Sequence, residues 1–477
     1  MLRLTELKLP LDHSPAELKI AAASRLDIPM EQILSIHIFR RGYDARKKSD
    51  IRLVYTLDLE VIDETPLLSK LNGSANLSLS PNTQYRFVGR APAHCATRPI
   101  IVGMGPCGIM AGLVLAQMGF RPIILERGKI VRKRTRDTWG LWRQGILNPD
   151  SNVQFGEGGA GTFSDGKLYS QIKDPQFHGR KVLEEFVKAG APEEILYVSK
   201  PHIGTFRLVS MVEKIRATII ELGGEIHFES RVEDLLITET VPGERKISGV
   251  QFGDGTQLAS EHVILAVGHS ARDTFNLLYQ RGVYVEAKPF SIGVRIEHPQ
   301  TLIDQARFGK FAGHPLLGAA DYKLVHHCKN GRSVYSFCMC PGGQVVAATS
   351  EPGMVVTNGM SQYSRAERNA NSGIVVEVTP DIDFPGHPLA GIDFQRHWES
   401  RAFIAGGSQY TAPAQRVGDF LAGKASSAEG AITPSYQPGV HWTDLAQCLP
   451  PFVVTAMREA IPAFAKKSMA LTWQMLS

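Results

Sequence analysis

Gly103-Met-Gly105-Pro-Cys-Gly108 and Gly156-Glu-Gly158-Gly-Ala-Gly161 both have the G-x-G-x-x-G spacing that lets a backbone approach a pyrophosphate. The spacing alone is a weak signal, and the flanks decide what each loop can do. Before the first loop stands Pro99-Ile-Ile-Val102, an apolar run of strand type; after it, Ile109 to Met118 is a helical stretch. In that setting Gly103 permits a tight turn, Gly105 leaves room for a pyrophosphate and Gly108 lets helix pack on strand. The helix N-terminus then offers free N–H groups to the anion. The next apolar run, Pro122 to Leu125, ends at Glu126, 126 − 103 = 23 residues past the first glycine. A carboxylate there accepts hydrogen bonds from ribose hydroxyls and disfavours the 2′-phosphate of NADP. This predicts an adenine dinucleotide and leaves FAD and NAD both open. The basic residues that follow, Arg127, Arg132, Lys133, Arg134 and Arg136, are expected on a solvated helix face, with neutralisation of phosphates as the alternative.

The second loop lacks those flanks. Thr162-Phe-Ser-Asp-Gly166, a run of turn formers, stands where a helix would have to open, and no acid-tipped strand follows at the expected distance. Its bare backbone, the hydroxyls of Thr162 and Ser164 and the cation of Lys167 suit a segment lying along a flat heterocycle and a pyrophosphate. It is therefore not read as a second nucleotide site.

The elements that must position these loops fall into a recognisable order. Ser14-Pro15-Ala16-Glu17 is a capping box with proline at the first helical position, so a helix should run to about Arg25. Ile33 to Phe39 reads as a strand, and Ile51, Leu53, Tyr55, Leu57, Leu59 and Val61 alternate as a half-buried strand must. Between them RRGYDARKK is expected as a solvated hairpin loop, with contact to a partner or polyanion as the sharper alternative. Residues 66 to 97, rich in Ser, Asn, Pro and Ala, look like a connection. From Arg98 the order becomes strand, glycine turn, helix, strand. The stretches IHFESRVEDLLI and HVILAVGHSARDTF add two strands and a helix start, and residues 285 to 400 hold strands with few clear helices. The division expected is an N-terminal α+β domain and linker (1–97), a Rossmann-like domain (98–284), an inserted β-rich substrate domain (285–400) and a return to the nucleotide domain (401–477).

The fold class expected from this order of elements is α/β, and the composition is ordinary for a soluble globular protein: 43% hydrophobic, 21% charged and a net charge of +5, too small a bias to indicate nucleic acid. The six cysteines, irregularly spaced, form neither a disulfide framework nor a C-x2-C metal pair, so no metal is expected. The uncharged run Pro99 to Phe120 imitates a membrane span, but five glycines at 103, 105, 108, 112 and 119 break it into strand, turn and helix. The N-terminus, MLRLTELKLPLD, alternates and is no signal peptide. A cytoplasmic protein without membrane attachment is expected.

Taken together, the early glycine loop, the ERG at Glu126, the central FGEGGAGTFSDGKL and the late ILAVGHSARDT resemble FAD-dependent oxidoreductases of glutathione-reductase-like fold. More closely, the chain resembles a bacterial family of uncharacterised FAD-dependent dehydrogenases with an extra N-terminal domain; YSFCMCPGG, VVTNGMS and APAQRVGDFLAG belong to the likeness. The resemblance implies FAD, with Gly103, Gly105, Pro106, Gly108, Glu126 and Arg127 around its ADP half. It places Gly158, Gly159, Gly161, Thr162 and Ser164 by the pyrophosphate and flavin, Val232 by the adenine and Gly268 beside the cofactor. Both glycine loops then serve one FAD, and the expected reaction is hydride transfer with a small-molecule substrate; the alternatives are a flavin-binding module without turnover that acts through a partner, or an inactive truncated form of the enzyme. Nicotinamide could bind only transiently, since no second Rossmann unit is visible. The resemblance also implies a C-terminal segment meeting the flavin. This chain instead ends KKSMALTWQMLS, so a frameshift near Lys467 with a truncated ending is one expectation, and a natural ending of different sequence is its rival.

Candidate groups for proton or electron transfer are few. His202, His269, His298 and Lys167 are the acid–base candidates; His298, in GVRIEHPQ, either faces the flavin or makes a structural hydrogen bond. Cys338-Met-Cys340 is the redox candidate, its two side chains expected on one face of a strand and able to form only a strained bridge. Cys107 is a small residue that fits its loop. His298, Lys167 and Cys338 are retained as candidates, and none is assigned a catalytic role.

Overall fold

A computed structural model describes residues 1–70, 76–93, 97–170 and 172–467. The chain divides by compactness into two units. The first gathers Met1–Arg86 with the later segments Lys167–Ile203 and Thr301–Ala320; the second holds Phe87–Gly166, Gly204–Gln300 and Asp321 onward. The linear boundaries at 97, 284 and 400 do not anticipate the two later segments joining the first unit.

In the first unit, β1 (Leu2–Pro10), α1 (Pro15–Leu26), β2 (Ile33–Asp44), β3 (Arg52–Val61), α2 (Glu64–Lys70) and β4 (Leu77–Leu79) form an antiparallel sheet of order β2-β3-β1-β4 with its helices. The capping box closes as expected: the Glu17 N–H donates to Ser14 Oγ (3.3 Å) and the Ser14 N–H to Glu17 Oε2 (2.6 Å). The buried leucines of β1 change phase from Leu2 and Leu4 to Leu7 and Leu9, because the register shifts at Glu6, whose φ is +55°. The expected basic loop is half strand. Arg40 to Asp44 extend β2 along β3, and Tyr43 packs edge-on against Phe308 at 5.5 Å. The Arg41 N–H also donates to the Tyr197 carbonyl (2.6 Å), so pairing on both sides outweighs the polarity of this run.

The second unit contains the nucleotide fold. β5 (Ile100–Val102), α3 (Pro106–Gln117), β6 (Ile123–Leu125), α4 (Val131–Gln144) and β7 (Glu225–His227) precede an antiparallel meander of β8 (Val232–Val241), β9 (Glu244–Phe252) and β10 (Gln257–Ala259). β11 (Val263–Leu265) then returns beside β5, giving a parallel sheet of order β11-β5-β6-β7. All six residues of β5 and β6 are apolar and buried, the pattern of parallel strands covered on both faces. The order reverses at β5, whose neighbours come from before and after the meander. The C-terminal ends of β5, β6 and β11 therefore open on a crevice at a topological switch point, where ligands bind in such sheets.

Further along lie β12 (Phe290–Pro299), β13 (Val325–His327), β14 (Ser333–Cys340), β15 (Gly343–Ala347), β16 (Thr357–Ser361) and β17 (Asn369–Val378). They build an antiparallel sheet of order β12-β17-β14-β13 and a two-stranded ribbon β15-β16. One face of the sheet supplies Ile296, Val334, Ile374 and Val376 to a core with the helix Pro451–Lys467. Among the described residues no helix is long and apolar enough to cross a membrane.

Candidate functional site

The first glycine loop has the expected build. Gly103 adopts φ +101°, and a Cβ there would lie 2.5 Å from the Ala266 carbonyl. At Gly108 a Cβ would meet the Gly103 carbonyl at 1.9 Å, so nothing larger than glycine lets α3 start against β5. Gly105 is the N-cap of α3 and Pro106 its first residue; no side chain caps the helix, which leaves its first N–H groups to a ligand. Cys107 is exposed in the first turn.

The second loop lies directly on the first. The Gly158 N–H donates to the Met104 carbonyl (2.9 Å). A Cβ on Gly159 would come within 2.8 Å of Gly105 Cα and 3.2 Å of Pro106 Cδ, while one on Gly161 would stand 3.5 Å from Pro106 Cγ. Gly156, Gly158 and Gly159 have φ of +119°, +87° and +57°, a path that side-chain-bearing residues rarely follow. The loop continues as a single tight turn, Gly159–Phe163, and not as an α-helix.

Glu126 ties the two loops together. Its carboxylate, 4% exposed, accepts the N–H groups of Met104 (2.7 Å), Gly128 (2.8 Å) and Gly156 (2.9 Å). A carboxylate has about four acceptor positions, so room for one ribose hydroxyl remains. Glu126→Gln should lower the stability of the ligand-free chain by about 1–3 kcal/mol, because its amide oxygen cannot serve donors converging on both carboxylate oxygens. Chemical denaturation checks this; an unchanged midpoint would contradict it.

Arg134 corrects the sequence expectation. It is not on a solvated face but fully buried, together with Val131, Thr138, Leu141 and Trp142 of α4. Its guanidinium donates to the carbonyls of Asn152 (2.7 Å), Val153 (2.7 Å), Gly156 (3.3 Å) and Glu157 (2.7 Å) and lies over the Phe163 ring at 4.9 Å. Burial lowers its pKa to about 10, against the opposing charges of Glu126 and Glu157, so it stays cationic at neutral pH. Glu157, the acid within the second loop, accepts the Val131 N–H (2.7 Å) at the start of α4 and pairs with Arg216 (2.7 Å). Burial raises its pKa while those two partners pull it down. The spacing held a signal for Arg134: positions 131, 134, 138, 141 and 142 form one helical stripe.

The remaining expected cofactor residues vary in setting. Gly268, at φ +72°, follows β11 and has open space where a Cβ would point. Val232 begins β8 and packs on the cluster containing Ile123 and Leu125. Arg127 pairs with Asp150 (2.7 Å) and Asp273 (3.0 Å) over the Phe155 ring. The hydroxyls expected to be available are used inside the loop: Thr162 Oγ1 donates to the Glu157 carbonyl (3.4 Å), and Ser164 Oγ to the Gly161 carbonyl (2.7 Å).

A cavity of ≈ 660 Å³ opens from the second loop at Gln154 and Ala160. β12 lines it from Phe290 to Glu297, as do Trp398, Tyr436 and Trp442. His269 stands in its lining, where the surrounding protein and the Arg272 charge hold its pKa below the usual histidine value. Arg272, which sequence reasoning missed, pairs with Glu351 (2.6 Å) and Glu399 (2.6 Å), and Arg396 also holds Glu351 (2.7 Å).

The three transfer candidates have different local surroundings. His298 is 3% exposed, and its Nε2 lies 2.8 Å from Tyr322 Oη. Lys167 belongs to the first unit and bridges His202 there. Cys338 and Cys340 do not simply share a strand face. Cys338 has φ +44°, the register shifts between Phe337 and Cys340, and Met339 and Cys340 are buried in succession. Among the described residues His326, Cys328 and Glu459 form a group with ligand atoms within 4.8 Å of one another. Hydrogen bonds already hold them: His326 to Glu459 (3.3 Å) and Cys328 Sγ to the Ala456 carbonyl (3.4 Å).

Burial lowers the pKa of His298 from 6.5 to about 4. The folded chain resists protonation there, so its stability is fully present above the unfolded value and is lost as the pH falls through the folded one. The loss should reach about 3 kcal/mol between those limits, at 1.36 kcal/mol per unit. Denaturation of wild type and His298→Asn at pH 7 and at pH 4.5 tests this: the variant should lose less on acidification, and equal losses would contradict it.

A family model described as FAD-dependent protein, C-terminal domain-like, matches residues 289–474, and a domain of unknown function (DUF8436) matches residues 1–60. A protein of Clostridium beijerinckii (strain ATCC 51743 / NCIMB 8052), described as an uncharacterized protein, is 44% identical over 468 residues, covering 98% of this chain and 86% of the relative. Among solved structures, Thermovibrio ammonificans THI4 is 20% identical with a TM-score of 0.26, over 40% of this chain and 66% of its own. The 3-ketosteroid-delta4-(5alpha)-dehydrogenase of Rhodococcus jostii RHA1 is 12% identical with a TM-score of 0.29, over 52% of this chain and 68% of its own. The halogenase PltM, in complex with phloroglucinol and FAD, is 12% identical with a TM-score of 0.32, over 62% of this chain and 54% of its own. The chain thus spans less than two thirds of the first of these structures and of the halogenase.

Proposed function

The chain belongs to a family of FAD-dependent oxidoreductases, and on that premise we propose that it holds one FAD across both glycine loops and exchanges a hydride with a small organic substrate. The contact of Gly159 with Gly105 and Pro106 carries this reading, since two loops in van der Waals contact leave one pyrophosphate place between them. The residues present fit the cofactor: an uncapped α3 N-terminus for the pyrophosphate, one acceptor position of Glu126 for a ribose hydroxyl and open space at Gly268. Bound FAD would supply two-electron redox chemistry.

The chain's own residues bind and orient. Arg134 and Glu126 hold the second loop rigid on the first, so the backbone N–H groups are placed before any ligand arrives. The cavity beginning at Ala160 receives the substrate, and its largely apolar walls, among them Val345, Val356 and Trp398, limit water. His269, held neutral at physiological pH in that lining, is the side chain suited to accept a proton. NADH or NADPH is proposed as a transient donor, because the described residues contain one parallel Rossmann sheet and FAD takes it.

The test is anaerobic mixing of the flavin-loaded chain with NADH, NADPH and a panel of reduced organic substrates. Bleaching of the flavin within seconds by one of them is expected. A flavin that none of them reduces would make the chain a binding module and overturn hydride transfer.

A further inference from the structure

Arg295 lies in β12 and lines the ≈ 660 Å³ cavity. Two other arginines line it, and each has a carboxylate: Arg272 has Glu399 (2.6 Å), and Arg416 has Asp419 (2.7 Å). No carboxylate stands within ion-pair distance of Arg295 among the described residues. Its guanidinium is oriented by neutral acceptors, Asn371 Oδ1 (2.8 Å) and the Cys338 carbonyl (2.8 Å). The two acids of the cavity lining are otherwise engaged, Glu399 with Arg272 and Glu297 with the Ser435 N–H (2.9 Å) and hydroxyl (2.5 Å).

Two further observations mark the same spot as rich in donors. Asn371 is fully buried, and its Nδ2 has no acceptor among the described residues. Opposite stands Gly359 of β16, where a Cβ would come within 2.3 Å of both Arg295 Nη2 and Asn371 Oδ1. The ribbon is thus bare where the guanidinium lies. A half-buried cation in a mostly apolar cavity is costly unless an anion joins it, and the planar fork of arginine suits a carboxylate.

We propose that Arg295 receives a carboxylate of the substrate, so that the substrates of this protein are organic acids. The inference rests on the proposed function in taking the cavity as the substrate's place, and it fixes the end by which the substrate is held. Arg295 is then a specificity-determining residue, with Asn371 positioning it.

The experiment titrates the chain with propionate, benzoate and 3-phenylpropionate, each against its uncharged amide, and reads the fluorescence of Trp398 and Trp442, which line the same cavity. At least one acid should give saturable quenching that its amide does not. Arg295→Gln, folded as judged by its circular dichroism, should weaken that acid at least tenfold, and Arg295→Lys should recover part of the loss. If acids and amides behave alike, if no acid binds, or if Arg295→Gln binds the acid as wild type does, the proposal falls. Loss of FAD from Arg295→Gln with acid binding intact would also overturn it, by assigning the guanidinium to the cofactor. A colourless wild type that still binds acid through Arg295 would uphold the anion site while removing the FAD reading.

Discussion

Gly105→Ala should leave the ligand-free chain as stable as wild type and weaken FAD binding by about a hundredfold, close to 3 kcal/mol. The reason is local. Gly105 has φ −75°, which alanine adopts freely, and the nearest atom to an added Cβ is Gly159 Cα at an ordinary 3.8 Å. The methyl group therefore fits the folded chain but stands on the surface of the loop that a pyrophosphate must approach. Gly108→Ala should behave in the opposite way, because its Cβ would collide with the Gly103 carbonyl at 1.9 Å and displace α3. Melting temperatures of both variants without flavin, followed by titration with FAD, separate the two effects. Full FAD affinity in Gly105→Ala would remove the first loop from the site.

Arg134→Met should destabilise the second unit by about 4 kcal/mol, at the top of what single substitutions do. Methionine fills much of the volume but donates nothing, which strands the buried carbonyls of Asn152, Val153 and Glu157. Arg134→Lys should rescue little, since one ammonium cannot reach carbonyls spread around a planar fork. The second loop should loosen with the loss, so FAD affinity falls alongside stability. Urea denaturation followed by the fluorescence of Trp142, which shares the buried stripe of Arg134, reads the effect. A change under 1 kcal/mol would show that water replaces the guanidinium without penalty.

What the sequence disclosed and what it hid divide along physical lines. Local signals were legible: the capping box at Ser14 closes, and the run from Pro99 to Glu126 folds as strand, turn, helix and strand because short apolar runs and the glycines that punctuate them fall in one continuous stretch. The failure of the second loop to open a helix was also local and visible. Long-range pairing was not. Nothing in RRGYDARKK shows that Tyr197 and Phe308 will flank it, and nothing in residues 167–203 shows that they join the first unit. Arg134 was hidden in a basic run whose composition outweighed its helical position. The bulge at Cys338 follows from pairing with β17, not from the alternating pattern. The expected frameshift near Lys467 concerns residues 468–477, which lie outside the described residues.

The central claim, that two glycine loops hold one cofactor, is tested most directly by counting. The purified chain should be yellow, and denaturing it should release one FAD per chain and no second adenine nucleotide. Two nucleotides per chain would give each loop its own ligand, and a folded chain that neither carries nor takes up FAD would contradict the account altogether.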